Sequence, residues 1–293
     1  MTQSRPVALR LDGHWVWDFW FACDGDDVHV FYLQAPRSLG DPELRHVNAT
    51  IGHAVSRDLS TWEVLPDALG AGAPGAFDDL ATWTGSVLRH DGTWRMYYSG
   101  IARAEHGQVQ RIGSAVSADL VTWEREDLLL EADTRWYDRE HWRDPWVEWD
   151  GERFDMLVCA TRGGRGILGH ATSRDGVEWA IGPPLSAPTR HVQLEVPQLL
   201  HVDGAWRILF CDAFAGSGLH YLSAPHRLGP YPGETRDLLP GARPREHYAG
   251  KVLEHRGERR LLTWLMEDEH GAFVGELGDP MPLPRFSYTP SQS

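Results

Sequence analysis

The chain repeats itself. Three segments, GHAVSRDLSTWEV (52–64), GSAVSADLVTWER (113–125) and GHATSRDGVEWAI (169–181), share one pattern of small residues, Ser, Asp and Trp. Their tryptophans fall at 62, 123 and 179, so the spacings are 61 and 56 residues. YLSAPHRLGPY (221–231) is a fourth, weaker copy in which Tyr stands in place of Trp. Self-similarity at such a period means one supersecondary unit used several times, each copy burying its apolar face against the next.

A second marker keeps step. Turn glycines at 25, 92, 151, 204 and 257 are each followed by an aromatic-rich run: VHVFYLQA, WRMYYSGIA, RFDMLVCATR, WRILFCDAF and RRLLTWLMED. Asp-Gly between apolar runs signals a two-residue hairpin, because the type I′ turn needs positive φ. No segment sustains the 3.6-residue period of a helix. The pattern predicts five copies of a four-stranded antiparallel unit, which is an all-β, five-bladed β-propeller. A length of 293 residues, which alone suggests two domains, then reads as one domain spanning 1–293. In this reading Trp62, Trp123 and Trp179 pack blade on blade, and Asp58, Asp119 and Asp175 hold turns by accepting backbone N–H groups.

Composition narrows the partners. Lys plus Arg is 28 against 42 Asp plus Glu, a net charge of −14. Nucleic acid and anionic membranes need a basic footprint, so neither is expected. No apolar run approaches a membrane span and the N-terminus lacks a signal-like apolar core, so a soluble, cytoplasmic protein is expected. Cys23, Cys159 and Cys211 are too few for a disulfide framework and have no metal-ligand spacing; lying in apolar runs, they read as buried small hydrophobes. The oligomeric state is not legible. The 14 tryptophans have two available uses, repeated packing positions and sugar-binding clefts.

The innermost strand of a propeller blade lines the central channel, and ligands sit at its mouth. The strands entering the hairpin turns are the candidates. Seven residues before each turn glycine stand Asp18, Gly85, Asp144, Pro197 and Gly250; nine before stand Val16, Trp83, Trp142, Glu195 and Tyr248. Residues two apart on a strand share a face, so Asp18, Asp144 and Glu195 are expected to enter one funnel from three blades. Their settings, WVWDFWF, HWRDPWV and QLEVPQL, are apolar, where a charge is costly unless used or paired. Singly each has a bland alternative: a turn Asp-Pro, a Glu195–Arg190 ion pair, a solvent-facing Asp18. Their matching places in three repeats favour chemistry. Glycoside cleavage needs a protonated carboxyl for the leaving oxygen and an ionised one on the other face of the sugar. Burial and neighbouring carboxylates keep the acid protonated near neutrality.

Taken together, these residues resemble the clan J glycoside hydrolases, the five-bladed propellers of the family 32, 68 and 43 superfamily. WVWDFW (15–20) is similar to the Val-Trp-Asp-x-Trp nucleophile motif of levansucrases, and TWTGSV (82–87) to their Trp/Phe-Ser-Gly-Ser segment. WRDPWV (142–147) is similar to the shared Arg-Asp-Pro motif, and LEVPQL (194–199) to the invertase Glu-Cys-Pro-Asp motif. FYLQAP (31–36) and GHAVSRDLSTWE (52–63) resemble two further invertase blocks. The chain departs from invertases where Trp-Asp-Phe-Trp-Phe replaces Asn-Asp-Pro-Asn-Gly, where Val196 replaces Cys and where Gln198 replaces Asp. It stops at 293, so no C-terminal β-sandwich is expected.

The resemblance implies Asp18 as nucleophile, Glu195 as general acid/base and Asp144 as transition-state stabiliser, in a retaining hydrolysis of a furanoside, foremost a β-fructofuranoside such as sucrose or a short fructan. It implies that Arg143 positions Asp144 or binds sugar hydroxyls, and that Trp17, Gln34, Trp83 and Ser86 shape the furanose subsite. Asp79 reads equally as a hydroxyl ligand and as a loop acid; His247 and Tyr248 open the fifth inner strand, where the resemblance implies a role at the site. Trp17, Trp20, Trp83 and Trp142 are the sugar-stacking candidates. An inverting α-L-arabinofuranosidase or β-xylosidase and a non-catalytic carbohydrate-binding propeller are the alternatives. The partner is a small carbohydrate. The mechanism requires no cofactor; a structural calcium is compatible, although no loop has alternating Asp/Asn ligands. Gly163-Gly164-x-Gly166 lacks the following helix of a phosphate loop.

Overall fold

The structure, a computed structural model, describes residues 7–212, 214 and 218–286. Its elements follow from the hairpin turns. Asp91-Gly92 (φ 49° and 81°), Asp203-Gly204 (50° and 72°) and Arg256-Gly257 (52° and 77°) have positive φ at both central residues, as a type I′ turn demands. Each turn joins the innermost strand of a blade to the next strand out.

The strands, in chain order, are β1 (Val7–Leu9), β2 (His14–Asp24), β3 (Asp27–Pro36), β4 (Thr50–Ser56), β5 (Glu63–Leu69), β6 (Ala81–His90), β7 (Thr93–Ile101), β8 (Gln110–Ser117), β9 (Glu124–Arg125), β10 (Trp142–Trp149) and β11 (Phe154–Arg162). They continue as β12 (Arg165–Ser173), β13 (Trp179–Ile181), β14 (Glu195–Val202), β15 (Ala205–Asp212), β16 (Gly218–Ala224), β17 (Arg236–Asp237), β18 (His247–His255), β19 (Glu258–Glu267), β20 (Phe273–Gly278) and β21 (Met281–Pro282). Four antiparallel meanders, β2–β5, β6–β9, β10–β13 and β14–β17, are the first four blades of a five-bladed β-propeller. The fifth blade runs β18-β19-β20-β1, so the first strand of the chain completes the last blade, and β21 adds to β19. The repeats do not show this closure, because Val7–Leu9 carries no copy of the repeat.

The repeated Ser-x-Asp-x-x-x-Trp unit closes the corner between the third and fourth strands. Asp58 Oδ1 accepts the N–H groups of Ser60 and Thr61 at 2.9 and 2.7 Å, and Asp119 and Asp175 do the same in the next two blades. The indole of each repeat Trp donates to the carbonyl three residues back, Trp62 to Leu59, Trp123 to Leu120 and Trp179 to Gly176. Trp123 meets Phe31 of the preceding blade edge-on at 5.6 Å, and Trp179 meets Tyr97 at 5.4 Å. Trp62 instead stacks on Phe21 of its own blade. In the fourth copy the Tyr231 hydroxyl donates to the Arg227 carbonyl, replacing the indole.

Three sequence expectations are corrected here. Cys159 and Cys211 are buried, but Cys23 is exposed near the β2–β3 turn. Trp20 and Trp142 are core residues with no exposed surface, not sugar-stacking ones. Trp20 stacks on Phe31, and Trp142 packs on Tyr137 and against Gly169, where a Cβ would come within 2.8 Å of its ring. The third correction concerns strict alternation along the inner strands. All five carry a one-residue register shift: at Trp17/Phe19, Trp83/Gly85, Arg143/Trp146, Glu195/Gln198 and Tyr248/Lys251. Such bulges re-aim side chains and tighten the local twist. Asp18 (φ 26°), Asp144 (57°), Val196 (52°) and Ala249 (45°) hold the left-handed backbone within them, a conformation uncommon for non-glycine residues.

Candidate active site

The bulges open onto one cavity of about 460 Å³ at the channel mouth, with Asp18, Asp144 and Glu195 in its wall together with Trp17, Trp83, Arg143 and Tyr248. The three carboxylates thus converge, although not by the alternation expected: Asp18 and Asp144 sit within bulges, and Glu195 directly precedes one. Backbone strain of this kind is concentrated where surrounding contacts over-determine it.

Asp18 receives the Trp264 indole N–H at 3.0 Å on Oδ1 and the Thr84 hydroxyl at 3.3 Å on Oδ2. Asp144 accepts the Val196 N–H at 3.0 Å and donates its own N–H to Ser99 Oγ at 2.8 Å. Glu195 accepts from Arg143 at 2.7 Å on one oxygen and from the Tyr248 hydroxyl on the other. Arg143, itself buried, spans the pair: its Nε lies 3.7 Å from Asp144 Oδ2. The rest of its fork donates to the side-chain oxygens of Gln193 and Gln110, fixing the orientation of both amides. Glu195 therefore pairs with Arg143, not with Arg190, which lies near Asp237.

The electrostatics follow from this crowding. Burial first, then the charges of Asp144 and Glu195, push the Asp18 carboxyl up to about 7, against the opposing Trp264 N–H and Arg45. Burial also raises the Asp144 carboxyl, opposed chiefly by Arg143. Burial and Glu195 hold the Tyr248 phenol far above its ordinary range, so it stays a donor. His46, in the same wall, is pushed down to about 4 by burial and by Arg45, so it is neutral.

Three expected site residues do not line the cavity. Gln34 donates to Asp67 at 2.8 Å and to Thr50 within the first blade. Ser86 accepts the Val147 N–H at 3.2 Å and ties the second blade to the third. Asp79 accepts the N–H groups of Arg103 and Gly75, which hold its carboxyl below the usual range and fix a loop. His247, beside Tyr248, bonds Thr263 at 2.8 Å.

Other wall residues escaped sequence reasoning. Arg45, on the turn Pro42–Val47, is buried with its guanidinium 5.7 Å over the Trp17 ring and 4.5 Å over Phe273. Nothing in DPELRHV marks it. Trp264, Gln110, Gln193, His141 and Arg245 also line the cavity. Only Trp264 had a readable signal, being the aromatic centre of the fifth repeated strand. Among the described residues, no group of three or more His, Cys, Asp or Glu is arranged to hold a metal ion. The donor set at the cavity floor is instead interleaved with Arg143.

Comparison with known proteins places this architecture. The cell wall isozyme of beta-fructofuranosidase from Zea mays is 27% identical over 272 residues, covering 82% of this chain and 45% of that protein. A sucrose-6-phosphate hydrolase from Zymomonas mobilis is 32% identical over 112 residues, covering 36% of this chain and 21% of that protein. The chain thus spans less than half the length of these curated relatives. Two solved structures share the fold: sucrose-6-phosphate hydrolase from Lactobacillus gasseri (TM-score 0.77, 18% identity, 95% of this chain and 60% of that one) and inulosucrase from Halalkalicoccus jeotgali bound to kestose (0.70, 21%, 94% and 84%). A family profile, the N-terminal domain of glycosyl hydrolases family 32, matches residues 21–227, a span that includes Asp144 and Glu195 and begins just after Asp18. The chain belongs to glycosyl hydrolases family 32.

Proposed function

We propose that the protein hydrolyses β-fructofuranosides of the sucrose or short-fructan type with retention at the anomeric carbon. The observation that carries this reading is the convergence of Asp18, Asp144 and Glu195 on one cavity, with Arg143 bridging two of them, in a member of family 32. The relatives named for β-fructofuranoside and sucrose-6-phosphate hydrolysis support the substrate class.

In the first step the ionised Asp18 carboxylate attacks the anomeric carbon. The bond to the leaving oxygen breaks, and that oxygen takes the proton of the Glu195 carboxyl. The result is a fructosyl ester on Asp18 and a Glu195 carboxylate. In the second step Glu195 removes a proton from water, whose oxygen attacks the same carbon and frees Asp18. Asp144, anchored on the Val196 N–H, holds sugar hydroxyls and offsets the positive charge that develops on the ring. Tyr248 and Arg143 hold Glu195 from both oxygens, and Trp17 and Trp83 supply apolar wall for the sugar.

A panel of sucrose, sucrose-6-phosphate, short fructans and aryl furanosides, with the first-formed anomer followed by NMR, tests this. Release of fructose as the anomer of the starting linkage is expected. Inversion would overturn the double displacement. Binding without cleavage across the panel would make the protein a carbohydrate-binding propeller instead.

A further inference from the structure

Of 28 basic residues in the chain only one is a lysine, Lys251, and it is buried at 2% exposure on the fifth inner strand. It stands where pairing resumes after the β18 bulge, opposite Leu262. Its Nζ donates to the carbonyls of Val196 at 3.0 Å and Pro197 at 3.1 Å, and lies 5.1 Å from the Trp146 ring. A buried ammonium is retained only where hydrogen bonds and opposite charge replace its water.

The two carbonyls belong to the bulge of β14 that carries Glu195. Val196 is β-branched yet holds φ 52°, a conformation that persists only when neighbours enforce it. Its N–H is held by Asp144 Oδ2 and its carbonyl by Lys251 Nζ. A continuous chain therefore runs from the Asp144 carboxylate through one residue to the ammonium, and Glu195 is the next residue along. Gln198 locks the same two strands beyond the bulge, exchanging two hydrogen bonds of 2.7 Å with the backbone of Val252.

We propose that Lys251 is a positioning residue: its ammonium fastens the strained Val196–Pro197 bulge and so sets Asp144 and Glu195 against the cavity. The inference rests on the reading of those carboxylates as catalytic. Titratable groups face the ammonium from three elements: Asp18 on β2, Asp144 on β10 and the Cys211 thiol on β15. From β14 it meets the two carbonyls, and across the pair to β19 stands Leu262. Burial brings Lys251 down to about 8, with those three groups opposing the shift. The clamp therefore loses its charge in mildly alkaline solution.

A single lysine makes the test direct. Protein grown with isotope-labelled lysine gives one side-chain signal, which is titrated alongside the Val196 backbone amide. The expected result is that both signals titrate together near pH 8, and that kcat falls along the same curve while KM holds. Asp144→Asn, which removes a facing negative charge, should lower the shared midpoint. Lys251→Met should lower kcat by about tenfold to a hundredfold, the scale of an ångström-sized misplacement, with KM within about threefold. Lys251→Arg should restore part of the loss. A Val196 amide indifferent to the lysine titration, or a folded Lys251→Met protein with undiminished kcat, would overturn the proposal. If Lys251→Met does not fold, the paired titration of the unmodified protein still decides. If no furanoside is cleaved, the proposed function fails while the paired titration judges the clamp separately.

Discussion

Trp264 gives its indole N–H to Asp18 at 3.0 Å, a bond between residues 246 positions apart in sequence. It joins the fifth blade to the first across the seam of the ring. A hydrogen bond to the charged form favours that form, so the indole opposes the burial that raises Asp18. The seam bond therefore helps keep the proposed nucleophile ionised.

Replacing that donor should move a pH limb. Trp264→Phe keeps an aromatic ring beside Tyr248 and Phe273, which Trp264 meets at 5.6 and 5.7 Å, but removes the N–H. Asp18, already near 7, rises further. The acid limb of kcat/KM, where protonation of Asp18 silences the enzyme, should shift upward by about half a unit to one unit. A pH–rate profile checks it; an unmoved limb would separate Trp264 from the ionisation of Asp18.

Asp18→Asn should abolish turnover and stabilise the fold. Turnover should fall by about a thousandfold or more, as for other residues acting at the reacting atoms. The folded-state pKa of Asp18 is raised, so its favourable contribution is complete below the ordinary value of 3.8 and is lost as pH rises through about 7. Above that pH the native state carries a charge that the variant lacks. Thermal melts near pH 8 should show a higher Tm for Asp18→Asn, by a gain of up to about 4 kcal/mol, with the difference vanishing in acid. A lower Tm at pH 8 would count against the buried, raised carboxyl.

Tyr248→Phe tests the hold on Glu195. The ring remains in its buried place, while one oxygen of Glu195 loses its donor. A drop in kcat/KM of about tenfold to a hundredfold is expected, with little change in KM. Steady-state kinetics with an activated aryl furanoside separates this from lost binding.

Gln34→Ala should read out as stability rather than specificity. Its bonds run to Asp67 and Thr50, outside the cavity wall. A loss of about 1–2 kcal/mol in unfolding free energy, with KM within about threefold, is expected. A tenfold rise in KM with unchanged stability would return Gln34 to the furanose subsite.

The propeller was legible because hairpin glycines and the Ser-Asp-Trp corner recur at one period, and both are local chemistry. Turn φ angles and Asx bonds are set by neighbouring residues, as Asp58, Asp119 and Asp175 show. The three carboxylates were legible for a related reason: Asp18 and Asp144 stand seven residues before their turn glycines, and Glu195 stands two residues earlier in its repeat. What sequence could not show is how those positions are aimed. Bulges at Asp18, Asp144 and Val196 break the two-residue alternation, and no spacing announces a bulge. Tryptophan content was equally ambiguous. Trp17 and Trp20 lie three residues apart, yet one borders the cavity and the other stacks in the core. Arg45 and Lys251 were invisible because their meaning comes from groups distant in sequence: the Trp17 and Phe273 rings for one, the Val196 and Pro197 carbonyls for the other.

The pairing of Val7–Leu9 with β20 has a consequence for biosynthesis. A ribosome delivers Asp18 well before Trp264, which follows 246 positions later. Four meanders can form while the chain is still emerging, because each is contiguous in sequence. The fifth must wait for β20 and for the first strand to dock against it. Until then Asp18 has neither its indole donor nor the wall that buries it. A nascent chain is thus an assembly of finished blades around an unfinished centre, and the carboxyl acquires its raised pKa only once the ring closes.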